Sequence, residues 1–364
     1  MIHVNIAYHS SSWHGLSRAP DQFSSFAFSD GTHGWAVSLD SPGVLSTENG
    51  GQSWQLCNGR ILGVPTRGIG SLPSKMADLP LPAQVLSTGG KVFVAYYAQA
   101  VGTVMNPPPN YLRSGILVSS DGGAIWHQCL SLAPSKDSVL YLTASDPAHL
   151  WALCASGNPD QAAPTYLLRS TDGGSTWSRV SVRSIGWAGA GLASPSLVFV
   201  DPSHGWSMFV PYSNGVALTL RTTRDGGEKW TVVHTPYDYD EDSLFALDAR
   251  HAWFATGDEP WHKLGALCST ADGGKTWHRD HTFDHISLSG VFFTDSRQGW
   301  VVTSGQKVNA IYATSDGGRH WCEELTSSNG DWSPQAWTFQ RAAGTLFASN
   351  GYLMFSRLLP QEGP

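Results

Sequence analysis

Short apolar runs, each closed by a turn residue, follow one another along this chain. One example is Ser-Leu-Val-Phe-Val at 196–200, which ends at Asp201 and is followed five residues later by Trp206. Short apolar runs bounded by turn residues are typical of β-strands. The same arrangement, which predicts a buried strand turning tightly into the next, occurs at Asp30/Trp35, Asp146/Trp151, Asp201/Trp206, Asp248/Trp253 and Asp295/Trp300.

A second motif is an octapeptide that occurs six times, at 47–54, 119–126, 170–177, 223–230, 270–277 and 314–321. In four of the five intervals its copies lie about 49 residues apart, the length of a four-stranded propeller blade. Its third residue can accept hydrogen bonds from the turn, and the following Gly-Gly supplies positive φ angles. We therefore expect a structural role for the third residues, Asn49, Asp121, Asp172, Asp225, Asp272 and Asp316.

These repeats predict an all-β fold, a single seven-bladed β-propeller of four-stranded antiparallel blades over residues 1–364. Six blades are expected to end near residues 54, 126, 177, 230, 277 and 321. The segment 335–358 supplies only three further strands. We expect an N-terminal strand at 2–8 to complete the last blade and close the ring.

Composition and charge argue against some classes of partner but do not identify the function. Charged residues make up 14% of the chain and the formal net charge is −7, without a basic run, so we expect no nucleic-acid partner. The five cysteines have no zinc-type spacing, so buried free thiols, no metal and no cofactor are expected. The sequence shows no signal peptide and no apolar stretch long enough to span a membrane, and the compartment stays open.

A propeller blade separates two faces by its topology. The first and third turns of each blade lie on one face, here called the turn face, whereas the middle loops and the links between blades lie on the other, the loop face. Variable loops on a rigid scaffold commonly carry binding and catalysis. The irregular insertions predicted for the loop face are 9–22, 58–83, 99–113, 156–165, 183–195, 235–242, 257–264 and 325–335.

Aromatic and polar residues in these insertions are the candidate ligand-binding residues. Exposed aromatic side chains suit sugar stacking or a protein interface, although they can also fill gaps between long loops. The candidates are Trp13, Arg18, Tyr111, Trp187, Tyr237, Tyr239, Trp261, His262 and Trp332.

Acidic residues on the same face are the candidate catalytic groups: Asp238, Asp240, Glu241, Asp258 and Glu259. Topology makes their two loops neighbours. Two carboxylates beside a pocket can cleave a glycosidic bond, and carboxylates can also hold a hard cation, although no calcium-loop pattern is present. An acidic loop can equally be a solvated surface.

Four histidines precede the Gly-Trp positions, on four different blades: His33, His149, His204 and His251. Metal binding needs convergent ligands, so we expect these histidines to be structural.

The octapeptide resembles the Asp box, or BNR repeat, of sialidases, sortilin-type receptors and xyloglucan-degrading hydrolases. Its combination with the D-x-x-H-G-W hairpin is most similar to photosystem II assembly and stability factor propellers. Sialidases would imply an arginine triad and an Arg-Ile-Pro strand. Only Arg18-Ala19-Pro20 is similar, although Arg18, Arg67 and Arg113 fall in suitable loops.

The sequence therefore favours a non-catalytic binding propeller, expected to be a monomer, that holds a protein or glycan partner on its aromatic and acidic loop face. The alternative is a glycoside hydrolase or lyase of sialidase-like architecture that uses the acids of that face. The absence of a complete catalytic set favours the first hypothesis.

Overall fold

A computed structural model shows a seven-bladed β-propeller of four-stranded antiparallel sheets, as the repeats predict. It describes residues 6–7, 13–16, 22–38, 43–62, 73–79, 82–96, 114–132, 137–156, 163–180, 187–188, 196–209, 219–234, 241–256, 264–284, 287–304, 309–327, 337–351 and 353–359. Among these residues, no helix has the length and apolar character needed to cross a membrane.

The strands of the first half of the ring follow in chain order. The N-terminal strands are β1 (Ile6–Ala7) and β2 (Trp13–Gly15). Blade one consists of β3 (Phe23–Phe28), β4 (Gly34–Ser38), β5 (Val44–Thr47) and β6 (Gln55–Leu56). After β7 (Arg60–Leu62) and a 3₁₀ turn (Met76–Asp78), blade two contains β8 (Pro82–Thr88), β9 (Lys91–Tyr96), β10 (Gly115–Ser119) and β11 (Ile125–Ser131). Blade three consists of β12 (Asp137–Ala144), β13 (Leu150–Ser156), β14 (Ala163–Ser170) and β15 (Ser178–Arg179), followed by β16 (Trp187–Ala188).

The second half repeats the same order. Blade four contains β17 (Ser196–Phe199), β18 (Gly205–Phe209), β19 (Thr219–Thr223) and β20 (Thr231–Val233). Blade five contains β21 (Glu241–Ala246), β22 (Ala252–Thr256), β23 (Leu264–Thr270) and β24 (His278–Asp284). Blade six contains β25 (Ser287–Phe293), β26 (Gly299–Ser304), β27 (Asn309–Thr314) and β28 (Cys322–Ser327). Blade seven contains β29 (Thr338–Ala342), β30 (Thr345–Ser349) and β31 (Met354–Leu358).

The hydrophobic core is divided into seven clusters, each between two neighbouring blades. Aromatic side chains join the blades in a repeated way. Trp151 of blade three stacks on Phe199 of blade four at 3.7 Å between ring centroids, and Trp253 of blade five stacks on Phe293 of blade six at 3.9 Å. The Trp five residues after the Asp of each such hairpin is therefore an interblade residue, buried because sheets pack face to face around the ring.

The N-terminal segment closes the ring, but through a different strand from the one predicted. Strand β2 pairs with β31 and completes blade seven, with Trp13 opposite Arg357. Strand β1, which lies within the predicted segment 2–8, instead pairs with β28 at the outer edge of blade six. The prediction of 2–8 rested on its position before the first inner strand and on its having no other partner, whereas β1 finds a partner in β28.

The insertion at 58–83 also departs from its predicted place on the loop face. Its described part adds β7 as a parallel fifth strand on β11, at the outer edge of blade two. Ile61, Met76 and Leu79 are buried in the cluster between blades one and two. These apolar residues fill the outer rim of the interface between two blades, which the repeat pattern could not show.

The cysteines are all free, as predicted, but not all are buried. Cys57, Cys154 and Cys268 are buried, Cys129 is half-buried and Cys322 is exposed on the outer strand β28. The expectation of a buried thiol is therefore wrong for Cys322, because alternate residues of an outer strand face solvent.

Candidate functional site

The octapeptides form the turns between third and outer strands, and each third residue bonds to its own turn. In blade three, Asp172 accepts the hydroxyl of Thr176 at 2.6 Å, the Thr176 N–H at 2.8 Å and the hydroxyl of Ser170 at 2.8 Å. These hydrogen bonds lower the pKa of Asp172 to about 2 because they stabilise the ionised form. Asn49 uses its amide oxygen in the same way, on the Ser53 N–H and the Thr47 hydroxyl, both at 2.9 Å.

In the D-x-x-H-G-W turns, here called Asp turns, the Asp also accepts hydrogen bonds from its own turn. Asp201 accepts the N–H groups of Ser203 at 2.7 Å and His204 at 2.8 Å, and the His204 ring nitrogen Nδ1 lies 2.9 Å from the carboxylate. Partial burial opposes ionisation of Asp201, but the hydrogen bonds outweigh it and lower its pKa. Each of the four histidines contacts the Asp of its own turn. Over the described ranges, no three His, Cys, Asp or Glu side chains are placed to hold a metal ion.

The two motifs meet on the turn face. In five blades the first glycine of the octapeptide donates its N–H to the carbonyl two residues after the Asp of the Asp turn. The five pairs are Gly50 to Thr32, Gly173 to Ala148, Gly226 to Ser203, Gly273 to Arg250 and Gly317 to Arg297, at 2.8 to 3.0 Å. These bonds place the first and third turns of a blade on one face, as the topology argument expects.

Most of the predicted loop-face residues lie outside the part of the chain that the structure describes. Trp13 is described fully, and Trp187 and Glu241 are described by their backbones alone. The residues outside are Arg18, Tyr111, Tyr237, Asp238, Tyr239, Asp240, Asp258, Glu259, Trp261, His262 and Trp332.

Trp13 is not the exposed loop aromatic that the sequence predicted. Its side chain is 1% exposed and lies in the core between blades six and seven. Its indole N–H donates to the Oε2 atom of Glu324 at 2.9 Å, which also accepts the indole N–H of Trp300 at 3.1 Å and a guanidinium N–H of Arg357. Trp13 therefore belongs to the closure of the ring, because the strand that carries it completes blade seven.

The two acidic loops are anchored side by side. Glu241 is the first residue of the innermost strand of blade five, and its Cα partner is Thr256, the last residue of the second strand. The segment 235–240 enters the blade at Glu241, and 257–263 leaves it at Thr256. The structure thus places Glu241 and Thr256, to which these segments are joined, opposite each other at one end of blade five. Glu241, predicted in a loop, belongs to a strand.

Trp187 has a comparable anchor in blade three. Strand β16 pairs antiparallel with the first residues of β14, with Trp187 opposite Pro164. The third strand of a blade begins at the loop face, so the backbone of Trp187 lies at the loop-face end of blade three.

One cluster of polar side chains was missed by the sequence analysis. The Tyr166 hydroxyl donates to Asp137 at 2.8 Å, and the guanidinium of Arg179 lies 4.1 Å from the Tyr166 ring centroid. Burial, followed by the nearby Cys154 and Asp137, raises the pKa of Tyr166 far above its usual value, so the phenol stays protonated. An ionised tyrosine nucleophile is therefore disfavoured at this position. Asp137 and Tyr166 lie on different strands, so no local sequence signal could pair them.

Comparison with protein-family models and with curated proteins gave no match. Among solved structures, the chain is similar to YCF48 bound to D1 peptide, with a TM-score of 0.64 and 15% identity over 98% of both chains. It is also similar to YCF48 from Cyanidioschyzon merolae, with a TM-score of 0.56 and 19% identity over 96% of this chain and 99% of that one. An ancestral GH74 enzyme gives a TM-score of 0.55 at 15% identity, over 98% of this chain but 46% of the enzyme. At these identities the likeness shows the propeller fold alone.

Proposed function

We propose that this chain is a non-catalytic propeller that binds a protein or glycan partner on its loop face. The observation that carries the proposal is the register of blade five, where Glu241 lies opposite Thr256. Because the segments 235–240 and 257–263 join the blade at Glu241 and Thr256, we assign Tyr237, Tyr239, Trp261 and His262 to one interaction region. Aromatic side chains next to carboxylates suit sugar stacking or a protein interface.

The turn carboxylates are not candidates for a general acid. Asp121, Asp172, Asp225, Asp272 and Asp316 all have lowered pKa values, because hydrogen bonds from their own turns stabilise the ionised form. A general acid must carry a proton near neutral pH, which requires a raised pKa. These groups therefore serve the scaffold, and a partner would meet the loops that the scaffold carries.

The likeness to a propeller solved with a bound peptide is consistent with a polypeptide partner. We place Trp187 and Trp332 on the same interaction surface, with Arg18 and Tyr111 as polar contacts. The partner is a protein or a glycan, and the chain acts as a monomer.

The test is a glycan array and a peptide array, probed with the native protein and with Trp261→Ala. We expect Trp261→Ala to lose at least tenfold in affinity for the bound probe while keeping the native unfolding temperature, because truncating an interface aromatic costs roughly 1.4 kcal/mol or more. Arg297→Ala, an exposed change on the turn face, is the matched control and should bind normally. Unchanged binding by both Trp261→Ala and Glu259→Gln would show that the loop face is not the binding surface.

A second candidate is a glycoside hydrolase or lyase using Asp238, Asp240, Glu241, Asp258 and Glu259. The same register favours it, since it anchors two acidic loops beside each other. Such an enzyme needs two carboxyl groups roughly 5 to 10 Å apart. A reducing-end assay on the array sugars decides: turnover that is lost in Glu241→Gln and Glu259→Gln would establish the enzyme, and no turnover on any bound sugar would exclude it for those sugars.

A further inference from the structure

Blade two lacks the Asp turn that five other blades carry. Its first two strands are joined by Gly89 and Gly90, a two-residue turn with φ angles of 57° and 74°. The first hairpin of blade seven is equally short, with Ala343 and Gly344 at its tip. Blade one stands between them with a full Asp turn at 29–33. On the turn face, the first hairpin of blade one is therefore longer than those of its two neighbours, blades two and seven.

The missing turn removes a hydrogen-bond acceptor. In five blades a carbonyl of the Asp turn accepts the N–H of the first octapeptide glycine, but the corresponding N–H of Gly122 in blade two has no acceptor among the described residues. A Cβ built on Gly122 would meet nothing within 4 Å. At Gly50, Gly226 and Gly317 it would meet an Asp-turn carbonyl at 2.8 to 2.9 Å. The space next to Gly122 therefore corresponds to the position that the Asp turn occupies in the five other blades.

A pocket of about 540 Å³ occupies this place, between the turns of blades seven, one and two. We call it the notch. Its walls include Asp30, His33, Trp35, Thr88, Gly122 and Arg341.

A buried N–H beside the notch also has no acceptor. The Trp35 side chain is 4% exposed, and its indole N–H has no acceptor in the described part of the chain. In blade three the equivalent Trp151 donates to the carbonyl of Gly226 at 3.0 Å. The indole N–H of Trp253, in another blade, also lacks an acceptor. The N–H of Gly122 therefore distinguishes the notch from other blades better than the indole of Trp35 does.

The N–H of Gly122 favours an acceptor group as ligand, whereas the nearby carboxylate is already hydrogen-bonded. The Asp30 carboxylate is used by its own turn, accepting the N–H groups of Thr32 at 2.7 Å and His33 at 2.8 Å and lying 3.0 Å from the His33 ring. Arg341 is exposed at the opposite wall. The notch therefore offers the N–H of Gly122 as an exposed donor.

We propose that the notch binds a turn of a partner polypeptide, which places a backbone carbonyl on the N–H of Gly122. The five complete blades show that a turn of this chemistry fits the space, because their own Asp turns fill it with a backbone carbonyl. This site lies on the turn face and does not depend on the proposed function of the loop face.

Hydrogen exchange of the glycine amides tests the premise. We expect the Gly122 amide to exchange at the rate of an unprotected amide, whereas the amides of Gly173 and Gly226 exchange slowly because they are hydrogen-bonded. Equal protection of Gly122 in the free protein would overturn the proposal, since the site would already be filled.

Binding is tested with an acetylated and amidated hexapeptide of sequence Ser-Asp-Pro-Ala-His-Leu, the Asp turn of blade three at 145–150. We expect a shift of the Gly122 amide resonance that saturates as the peptide concentration rises. No shift at about 10 mM peptide, where a millimolar complex would be nearly saturated, would overturn the proposal.

A blocking variant separates the notch from other peptide sites. Gly122→Asn places a side chain in the notch, and asparagine tolerates the left-handed backbone. Gly344→Asn is matched, because Gly344 has a φ of 78° with nothing within 4 Å of its Cβ and does not line the notch. We expect Gly122→Asn to abolish peptide binding and Gly344→Asn to retain it; equal binding by both variants would contradict the assignment.

Discussion

The side-chain amide of Gln340 makes two hydrogen bonds with the backbone of Phe28, across the joint between blades seven and one. Its oxygen accepts the Phe28 N–H at 2.7 Å, and its nitrogen donates to the Phe28 carbonyl at 3.2 Å. Gln84 makes the same pair of bonds with Leu142, at 2.6 and 2.9 Å, between blades two and three. Each glutamine side chain thus takes the place of a main-chain partner between the innermost strands of neighbouring blades, which do not pair directly.

Replacing Gln340 tests the strength of this joint. Gln340→Ala leaves a backbone N–H and a carbonyl of the buried Phe28 without partners, so we expect the free energy of unfolding to fall by about 1 to 3 kcal/mol. Denaturant unfolding followed by tryptophan fluorescence measures it. The exposed Gln55→Ala should change stability by less than about 0.5 kcal/mol; an equal effect of both variants would remove the special role of Gln340.

The turn carboxylates predict a loss of stability in acid. The pKa values of Asp146, Asp201 and Asp248 are lowered, because hydrogen bonds from their Asp turns outweigh the effect of burial, and that of Asp172 is lowered to about 2. Such groups bind fewer protons in the folded than in the unfolded state, so their stabilisation is complete above the unfolded-state pKa and is lost as pH falls. We expect the urea midpoint to be constant from about pH 7 to pH 5 and to fall steeply between about pH 4 and pH 2. A midpoint that does not change over this range would contradict the assignment.

The natural Asn49 provides a reciprocal test at the level of one turn. Asp172→Asn should adopt the geometry of the Asn49 turn, with slightly lower stability at neutral pH and a smaller loss in acid, because the titrating group is gone. Asn49→Asp should have the opposite effect on the acid transition. The slopes of the urea midpoint against pH measure both, and identical slopes in the two variants would show that these turns do not contribute to acid unfolding.

Replacing Trp13 tests how much the closure of the ring contributes to stability. Trp13→Ala removes a 1%-exposed indole from the core between blades six and seven, and we expect a loss of about 3 to 5 kcal/mol. His14→Ala is the matched control, since His14 is the exposed neighbour in the same strand. Ligand affinity of the folded fraction should be unchanged in Trp13→Ala; a loss of affinity at full folding would return Trp13 to the candidate binding residues.

Thiol reactivity checks the placement of the cysteines. Burial raises the pKa of the Cys129 thiol to about 12 and also raises those of Cys57 and Cys154, so these thiols stay protonated and react slowly. Cys322 is exposed. We expect a disulfide reagent to modify one thiol in the native protein and all five after unfolding. Modification should disappear in Cys322→Ser, and fast labelling of a second thiol in that variant would contradict the buried placement.

The candidate sites were less predictable than the scaffold. The neighbouring anchors of the two acidic loops follow from blade topology, and Glu241 opposite Thr256 agrees with that expectation. The pairing of Tyr166 with Asp137 and the joining of Trp13, Trp300 and Arg357 on Glu324 depend on residues far apart in the chain. Such contacts follow from how blades pack, which local patterns do not encode.

The amino-acid sequence by itself determined the repeat, the blade architecture and the turn chemistry, because each depends on residues a few positions apart: Asp172 with Thr176, or Asp201 with His204. Tertiary structure alone decided which N-terminal strand closes the ring and that Trp13 is buried, because pairing at the outer edge depends on the space between blades six and seven. It also decided that Gly122 opens into a pocket: the sequence shows Gly89-Gly90 in place of an Asp turn, but only the packed ring places that gap beside Asp30 and Arg341.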